Sequence, residues 1–218
     1  MKVFSLPETV SALLFDMDCT LYTHGEYARS QTELPVRRLA EKKGKSFAEM
    51  TGIVQRLKDQ WETGHGGRKA GLGAIFESLG ISVRESAAWR AELYEPERYL
   101  APDPALRRSL KALSFRYALA VVTNNPLSIA ERTLACLSVR DLFGVVVGLD
   151  TCLVSKPDKA PFLRAAELLG VSPSLCVSIG DRYDIDIAVP LELGMGGVLV
   201  DGVEDVRSLL GPLFLPPD

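Results

Sequence analysis

Two carboxylates, Asp16 and Asp18, stand where an apolar run ends, in Phe15-Asp16-Met17-Asp18-Cys19-Thr20-Leu21-Tyr22. In extended chain, alternate side chains share a face, so the pair points the same way. Two such charges about 4 Å apart repel by roughly 4 kcal/mol at an effective dielectric near 20. A chain that gathers them needs a cation beside them, or divides them into a nucleophile and a proton donor. The expected strand Ala12–Phe15 would carry them to its C-terminal tip, where open α/β sheets bind ligands.

Other apolar runs also end in small polar residues. Tyr117–Val122 leads into Thr123-Asn124-Asn125, and Leu175–Ile179 into Gly180-Asp181, with Asp186 shortly after. Lys156 lies in the turn Ser155-Lys156-Pro157-Asp158, ahead of a helical pattern containing Phe162. Taken singly, Thr123-Asn124 reads as a helix cap, Lys156 as a solvated turn residue, and Gly180-Asp181 as a turn. Gathered at successive strand ends, they form one set of acids, a cation and hydroxyl or amide donors.

The elements that would position this set alternate. Val145–Val147 and Val198–Val200 complete about five expected strands. Pro126 suits a first helical position, followed by Ala130, Thr133, Leu134 and Leu137 at helical spacing. Phe162, Ala165, Ala166 and Leu169 repeat that spacing before Gly170, a helix stop. The expected fold is therefore α/β, a Rossmann-like, doubly wound parallel sheet.

Residues 23–100 interrupt the alternation and read as helix. Phe47, Met50, Val54, Leu57 and Trp61 form one stripe, and Leu72, Ile75, Phe76 and Leu79 another. Ser46 with Glu49, and Ser82 with Glu85, have capping-box spacing. Residues 1–22 and 101–218 are thus expected to form the core, and 23–100 an inserted helical unit.

Composition narrows the function classes. A net charge of −3 over 218 residues gives no basic surface for nucleic acid or an anionic membrane. No apolar run reaches the length of about 18 residues that suggests a membrane span. The N-terminus lacks the pattern of a secretory leader. Cys19, Cys136, Cys152 and Cys176 lack metal-type spacing and read as reduced thiols of a cytoplasmic protein.

The chain resembles the haloacid dehalogenase superfamily of phosphohydrolases, subclass with an α-helical cap. Asp16 to Thr20 (DMDCT) matches the family's first motif, Thr123 the second, Lys156 the third, and Gly180 to Asp186 (GDRYDID) the fourth. The resemblance implies that Asp16 is the nucleophile and Asp18 the acid and base. It implies that Thr123, Asn124 and Lys156 hold the phosphoryl group. Mg²⁺ would be held by Asp16, Asp18, Asp181 and Asp186, the last directly or through water. Dehalogenases lack the second acid of the first motif, so Asp18 favours phosphoryl chemistry. Cys19, where many relatives carry Asn or Gly, reads as a tolerated small residue, and Asp184 adds an acid to the fourth motif.

Phe15–Tyr22, the Trp61–Gly80 segment and the re-entry Tyr99–Leu110 most resemble the pyrimidine 5′-nucleotidase-like branch. That likeness implies a small-molecule phosphomonoester substrate such as a nucleoside monophosphate. Tyr22, His24, His65 and Arg68 are the candidate substrate residues; the last two lie in the basic loop Gly64–Lys69. A monomer or homodimer is expected. A phosphotransferase or sugar-phosphate mutase, or a phospho-ligand-binding protein without turnover, are the alternatives on this scaffold.

Overall fold

The structure, a computed structural model, describes residues 1–67 and 69–208. Arg68 lies outside the described residues. Strands β1 (Lys2–Ser5), β2 (Ala12–Phe15), β3 (Ala118–Val122), β4 (Val145–Val147), β5 (Cys176–Gly180) and β6 (Gly196–Leu199) pair in the order β1-β6-β5-β2-β3-β4. All neighbours run parallel except β1, which is antiparallel to β6. The sheet thus has six strands where the sequence suggests about five. Strand β1 is a mostly exposed edge without an apolar run, and its strand character comes from pairing with β6. Strand β6 begins two residues before the expected Val198. Gly196 and Gly197 are poor strand formers, but a Cβ on Gly197 would lie 2.8 Å from Ile187 Cγ2, so close packing requires the glycine.

Register sets the site. Phe15 is level with Val121 on one side and Ile179 on the other. Parallel pairing therefore brings the residues after β2, β3 and β5 to one sheet edge.

Four helices follow β2: α1 (Gly25–Lys42), α2 (Phe47–Gly64), α3 (Leu72–Ser78) and α4 (Val83–Leu93). The chain returns to the sheet through α5 (Pro104–Ser114), α6 (Leu127–Cys136), the short α7 (Leu149–Cys152), α8 (Lys159–Leu169), α9 (Ala188–Glu192) and α10 (Val203–Ser208). Asp103 caps α5 by accepting from the backbone N–H groups of Ala105 and Leu106. Pro126 is the N-cap of α6 rather than its first residue, and Gly170 closes α8 at φ 67°.

Alternation along the strands divides the core. Leu13, Phe15, Leu119, Val121, Val177 and Ile179 pack with Leu106, Leu110 and Leu113 of α5 and with Ala130 and Leu134 of α6. Ala12, Leu14, Ala120 and Val122 face Phe162, Ala165 and Ala166 of α8. Helices α1–α4 carry their own apolar cluster, including Leu39, Met50, Ile75, Phe76 and Trp89. The Ser46–Glu49 capping box forms fully. Ser82 accepts from the Glu85 backbone N–H, while the Glu85 carboxylate takes Lys42 Nζ at 2.5 Å.

All four cysteines are free thiols. Among the described residues, no helix is long and apolar enough to cross a membrane.

Leu110 is fully buried between α5 and the sheet. Leu110→Ala is expected to cost about 2–5 kcal/mol, read as a lower denaturant midpoint with an unchanged slope.

Candidate active site

Strand β2 ends at Phe15, but the Asp16 backbone N–H still donates to Ile179 O at 2.8 Å, so Asp16 is held on the sheet's edge. The chain then turns: Cys19 takes φ 60°, and the Leu21 N–H reaches back to Met17 O at 2.9 Å. Asp16 and Asp18 thereby stay close while facing different partners.

Asp16 is buried. Its Oδ1 accepts from Lys156 Nζ at 2.6 Å, and its Oδ2 from Thr20 Oγ1 at 3.2 Å. Lys156 is also buried and spends its other two bonds on Val122 O (2.6 Å) and Asp186 Oδ1 (2.7 Å). Burial works against the ammonium charge, yet Asp16 and Asp186 hold the Lys156 pKa above its ordinary value.

The Lys156 segment is clamped by Asn124. Its Nδ2 donates to Lys156 O (3.1 Å), and its Oδ1 accepts from the Lys156 N–H (2.7 Å). Thr123 is buried at the tip of β3, where its hydroxyl oxygen accepts from the Asn125 N–H at 3.1 Å.

The fourth segment wraps around the Asp186 carboxylate. Tyr183–Ile187 forms one turn of π-helix, and Asp186 Oδ2 accepts from the Arg182 N–H at 3.1 Å. Gly180 is required here, because a Cβ on it would overlap the Asp186 side chain. Asp181 is freer. Its buried Oδ1 has no hydrogen bond, and the Arg182 guanidinium stands 3.7 Å away. Burial, and then the charge of Asp16, push Asp181 up to about 7.

Carboxylate oxygens of Asp16, Asp181 and Asp186 lie within 4.8 Å of one another. An all-oxygen set with an unsatisfied buried carboxylate oxygen fits a hard divalent cation such as Mg²⁺. Both Asp186 oxygens already accept hydrogen bonds, so Asp181 is the acid with the most capacity for a metal. Asp184 lies outside this cluster and accepts from the Lys69 N–H at 3.3 Å.

Asp18 is held separately. Tyr22 Oη and Gln31 Nε2 (2.9 Å) donate to its Oδ1, and Asn125 Nδ2 (2.8 Å) to its Oδ2. Burial and the neighbouring Asp16 charge raise its pKa, against the pull of those donors. The Tyr22 phenol is itself raised well above its usual value by burial and Asp18, so it remains a donor.

Asp18, Asn124 and Asp181 line a cavity of about 260 Å³, together with Gln31, Ser86 and Arg90 of the inserted helices. The structure thus gathers Asp16, Asp18, Thr123, Asn124, Lys156, Asp181 and Asp186. Tyr22 reaches the site through Asp18. His24 does not line this cavity: it caps α1, its Nδ1 accepting from the Tyr27 N–H at 3.2 Å. His65 is exposed and stacked on Trp61, with ring centroids 4.0 Å apart. Both histidines are thus used locally. Gln31 and Arg90 escaped the sequence reading, because a polar residue on a helix carries no mark of what it faces.

The comparisons agree with this architecture. A model for haloacid dehalogenase-like hydrolases matches residues 10–194. A phosphoglycolate phosphatase of Psychrobacter arcticus is 39% identical over 82 residues, covering 38% of this chain and 34% of the relative. A glyceraldehyde 3-phosphate phosphatase of Methanopyrus kandleri is 26% identical over 193 residues, covering 85% and 82%. The chain spans between 31% and 47% of the length of the first phosphoglycolate phosphatases it matches. A HAD phosphatase structure from Thermococcus onnurineus shares the fold, with TM-score 0.58, 22% identity and coverage of 94% of this chain and 100% of that one. With the matched stretch taking in the Asp16 loop, the Lys156 turn and the Asp186 π-turn, the chain belongs to the haloacid dehalogenase-like hydrolases.

Proposed function

We propose that this protein is a Mg²⁺-dependent phosphatase that hydrolyses a small phosphomonoester through an aspartyl-phosphate. The single observation that carries this reading is the placement of two acids in different surroundings at one strand tip. Asp16 is fixed by Lys156 and Thr20, whereas Asp18 is held by Tyr22, Gln31 and Asn125. That division suits two chemical roles.

In the first step an Asp16 carboxylate oxygen bonds to phosphorus as the bond to the leaving oxygen breaks, and Asp18 gives that oxygen its proton. In the second, Asp18 takes a proton from the water that attacks the phosphoryl group, releasing phosphate and restoring Asp16. Lys156, Thr123 and the Asn124 backbone N–H stabilise charge on the phosphoryl oxygens. Mg²⁺, held by Asp16, Asp181 and the Asp18 carbonyl, with Asp186 bound directly or through water, would offset repulsion between the acids and the phosphoryl group. A dehalogenase would have no use for Asp18 as a proton donor, since a halide leaves unprotonated.

Residues 23–100 act as a cap over the core, which among the described residues comprises 1–22 and 101–208; the rest of the expected core, 209–218, lies outside the described residues. Support comes from their separate apolar cluster and from the side chains they place in the cavity. A cavity of about 260 Å³ lies below the roughly 300–1,000 Å³ of sites that take drug-sized ligands. It favours a two- or three-carbon phosphomonoester over the nucleoside monophosphate suggested by the nucleotidase-like cap. The phosphoglycolate and glyceraldehyde 3-phosphate phosphatases among the relatives point the same way.

Phosphate release from 2-phosphoglycolate, glyceraldehyde 3-phosphate and pyrimidine nucleoside monophosphates tests this reading. Turnover should need Mg²⁺, stop with EDTA and return when Mg²⁺ is restored; metal-independent turnover would contradict it. Asp16→Asn should lower kcat by at least about 10⁴-fold while leaving the circular dichroism spectrum unchanged. Lys156→Met, which leaves Asp16 and Asp186 buried without their cation, should cost about 3–5 kcal/mol in chemical denaturation.

A further inference from the structure

Arg90, on α4, is only 6% exposed. Buried arginines are ordinarily paired with an acid. Among the described residues, Arg90 has no carboxylate within ion-pair distance. Its hydrogen bond runs from Nη1 to the backbone carbonyl of Asn124. Its Nε is buried without a partner. One turn earlier on the same helix face, the Ser86 hydroxyl is 3% exposed and also lacks a partner. Both residues line the cavity that holds Asp18, Asn124 and Asp181.

We propose that Arg90 and Ser86 form a second anion subsite that binds a carboxylate at the far end of the substrate. The proposal rests on the phosphatase reading and narrows its substrate class to small phosphorylated carboxylic acids. A buried guanidinium with one neutral acceptor retains most of its five donors, and a carboxylate can take two of them in parallel. The charge that Arg90 lacks among the described residues then comes from the ligand.

The contact with Asn124 also sets a length. It ties Arg90 to the residue whose backbone N–H is assigned to the phosphoryl group. The two anionic ends of the substrate are therefore separated by a short carbon chain. Arg182, the other guanidinium at the cavity, is turned toward Asp181. It is correspondingly less free to take a second anion.

The test compares 2-phosphoglycolate with 2-hydroxyethyl phosphate, which exchanges the carboxylate for a neutral hydroxymethyl group. The wild type should show a kcat/KM at least about 100-fold higher on 2-phosphoglycolate. Arg90→Gln should bring that ratio to within a few-fold of one, Arg90→Lys should keep part of it, and Ser86→Ala should lower it several-fold. The ratio is the readout because losing the Asn124 contact can slow both substrates. No preference in the wild type, or an equal loss on both substrates in Arg90→Gln, would overturn the subsite. Preferential turnover of fructose 1,6-bisphosphate would overturn its assignment to a carboxylate.

Calorimetry on Asp16→Asn separates this inference from the reading beneath it. Tighter binding of 2-phosphoglycolate than of 2-hydroxyethyl phosphate, erased by adding Arg90→Gln, supports the subsite whatever the turnover. Equal binding of the two ligands rejects it even if the enzyme hydrolyses phosphomonoesters.

Discussion

The ammonium of Lys156 is where the site's separate pieces of chain are joined. An ammonium offers three protons, and here all three are used inside the protein, on Asp16, Val122 and Asp186. These acceptors come from the loop after β2, the end of β3 and the π-turn after β5. Burying an ion pair costs several kcal/mol per ion, and the attraction offsets that cost only when geometry is good and the remaining sites are bonded. Both conditions are met. Each Asp16 and Asp186 carboxylate also accepts a second hydrogen bond, from Thr20 and from the Arg182 N–H respectively.

One lysine does not balance this group. Asp16, Asp181 and Asp186 converge, Asp18 stands beside them, and Arg182 is the other cation close to the acids. The imbalance falls on Asp181, whose buried oxygen lacks a hydrogen bond and whose proton affinity is raised. A rigid cluster with one under-satisfied acid differs from a closed structural salt bridge, in which every charge is already matched. It is the arrangement expected where a cation is to enter.

The sheet and the principal acids were legible because each depends on a short-range pattern. An apolar run followed by small polar residues marks a strand tip, and parallel pairing brings successive tips together. Strand β1 was not legible, since its four residues gain strand character only against β6. Residue type misled at the histidines: His24 is consumed in capping α1, and His65 in stacking on Trp61. Gln31 and Arg90 were hidden for the opposite reason. On a helix each passes for a solvated surface residue, and only tertiary packing turns Gln31 toward Asp18 and Arg90 toward the Asn124 carbonyl.

The hidden residues share an origin in residues 23–100, and this bears on how the site is completed. The insertion reaches the motif loops through several hydrogen bonds. Gln31 bonds to Asp18, Arg90 to the Asn124 carbonyl, and the Lys69 N–H to Asp184. The sheet alone aligns Asp16, Lys156, Asp181 and Asp186. It does not supply all the donors around Asp18, nor the Ser86 and Arg90 wall of the cavity. The division is physical as well as topological, because α1–α4 carry an apolar cluster of their own, while Tyr27 at the start of α1 joins the sheet's cluster with Met17, Leu21 and Tyr22. Polar contacts such as that of Gln31 with Asp18 exchange with water at small net cost, whereas the buried Lys156 cluster cannot. Asp16 is therefore held entirely by the loops at the sheet's edge, whereas Asp18 draws one of its donors, Gln31, from the insertion.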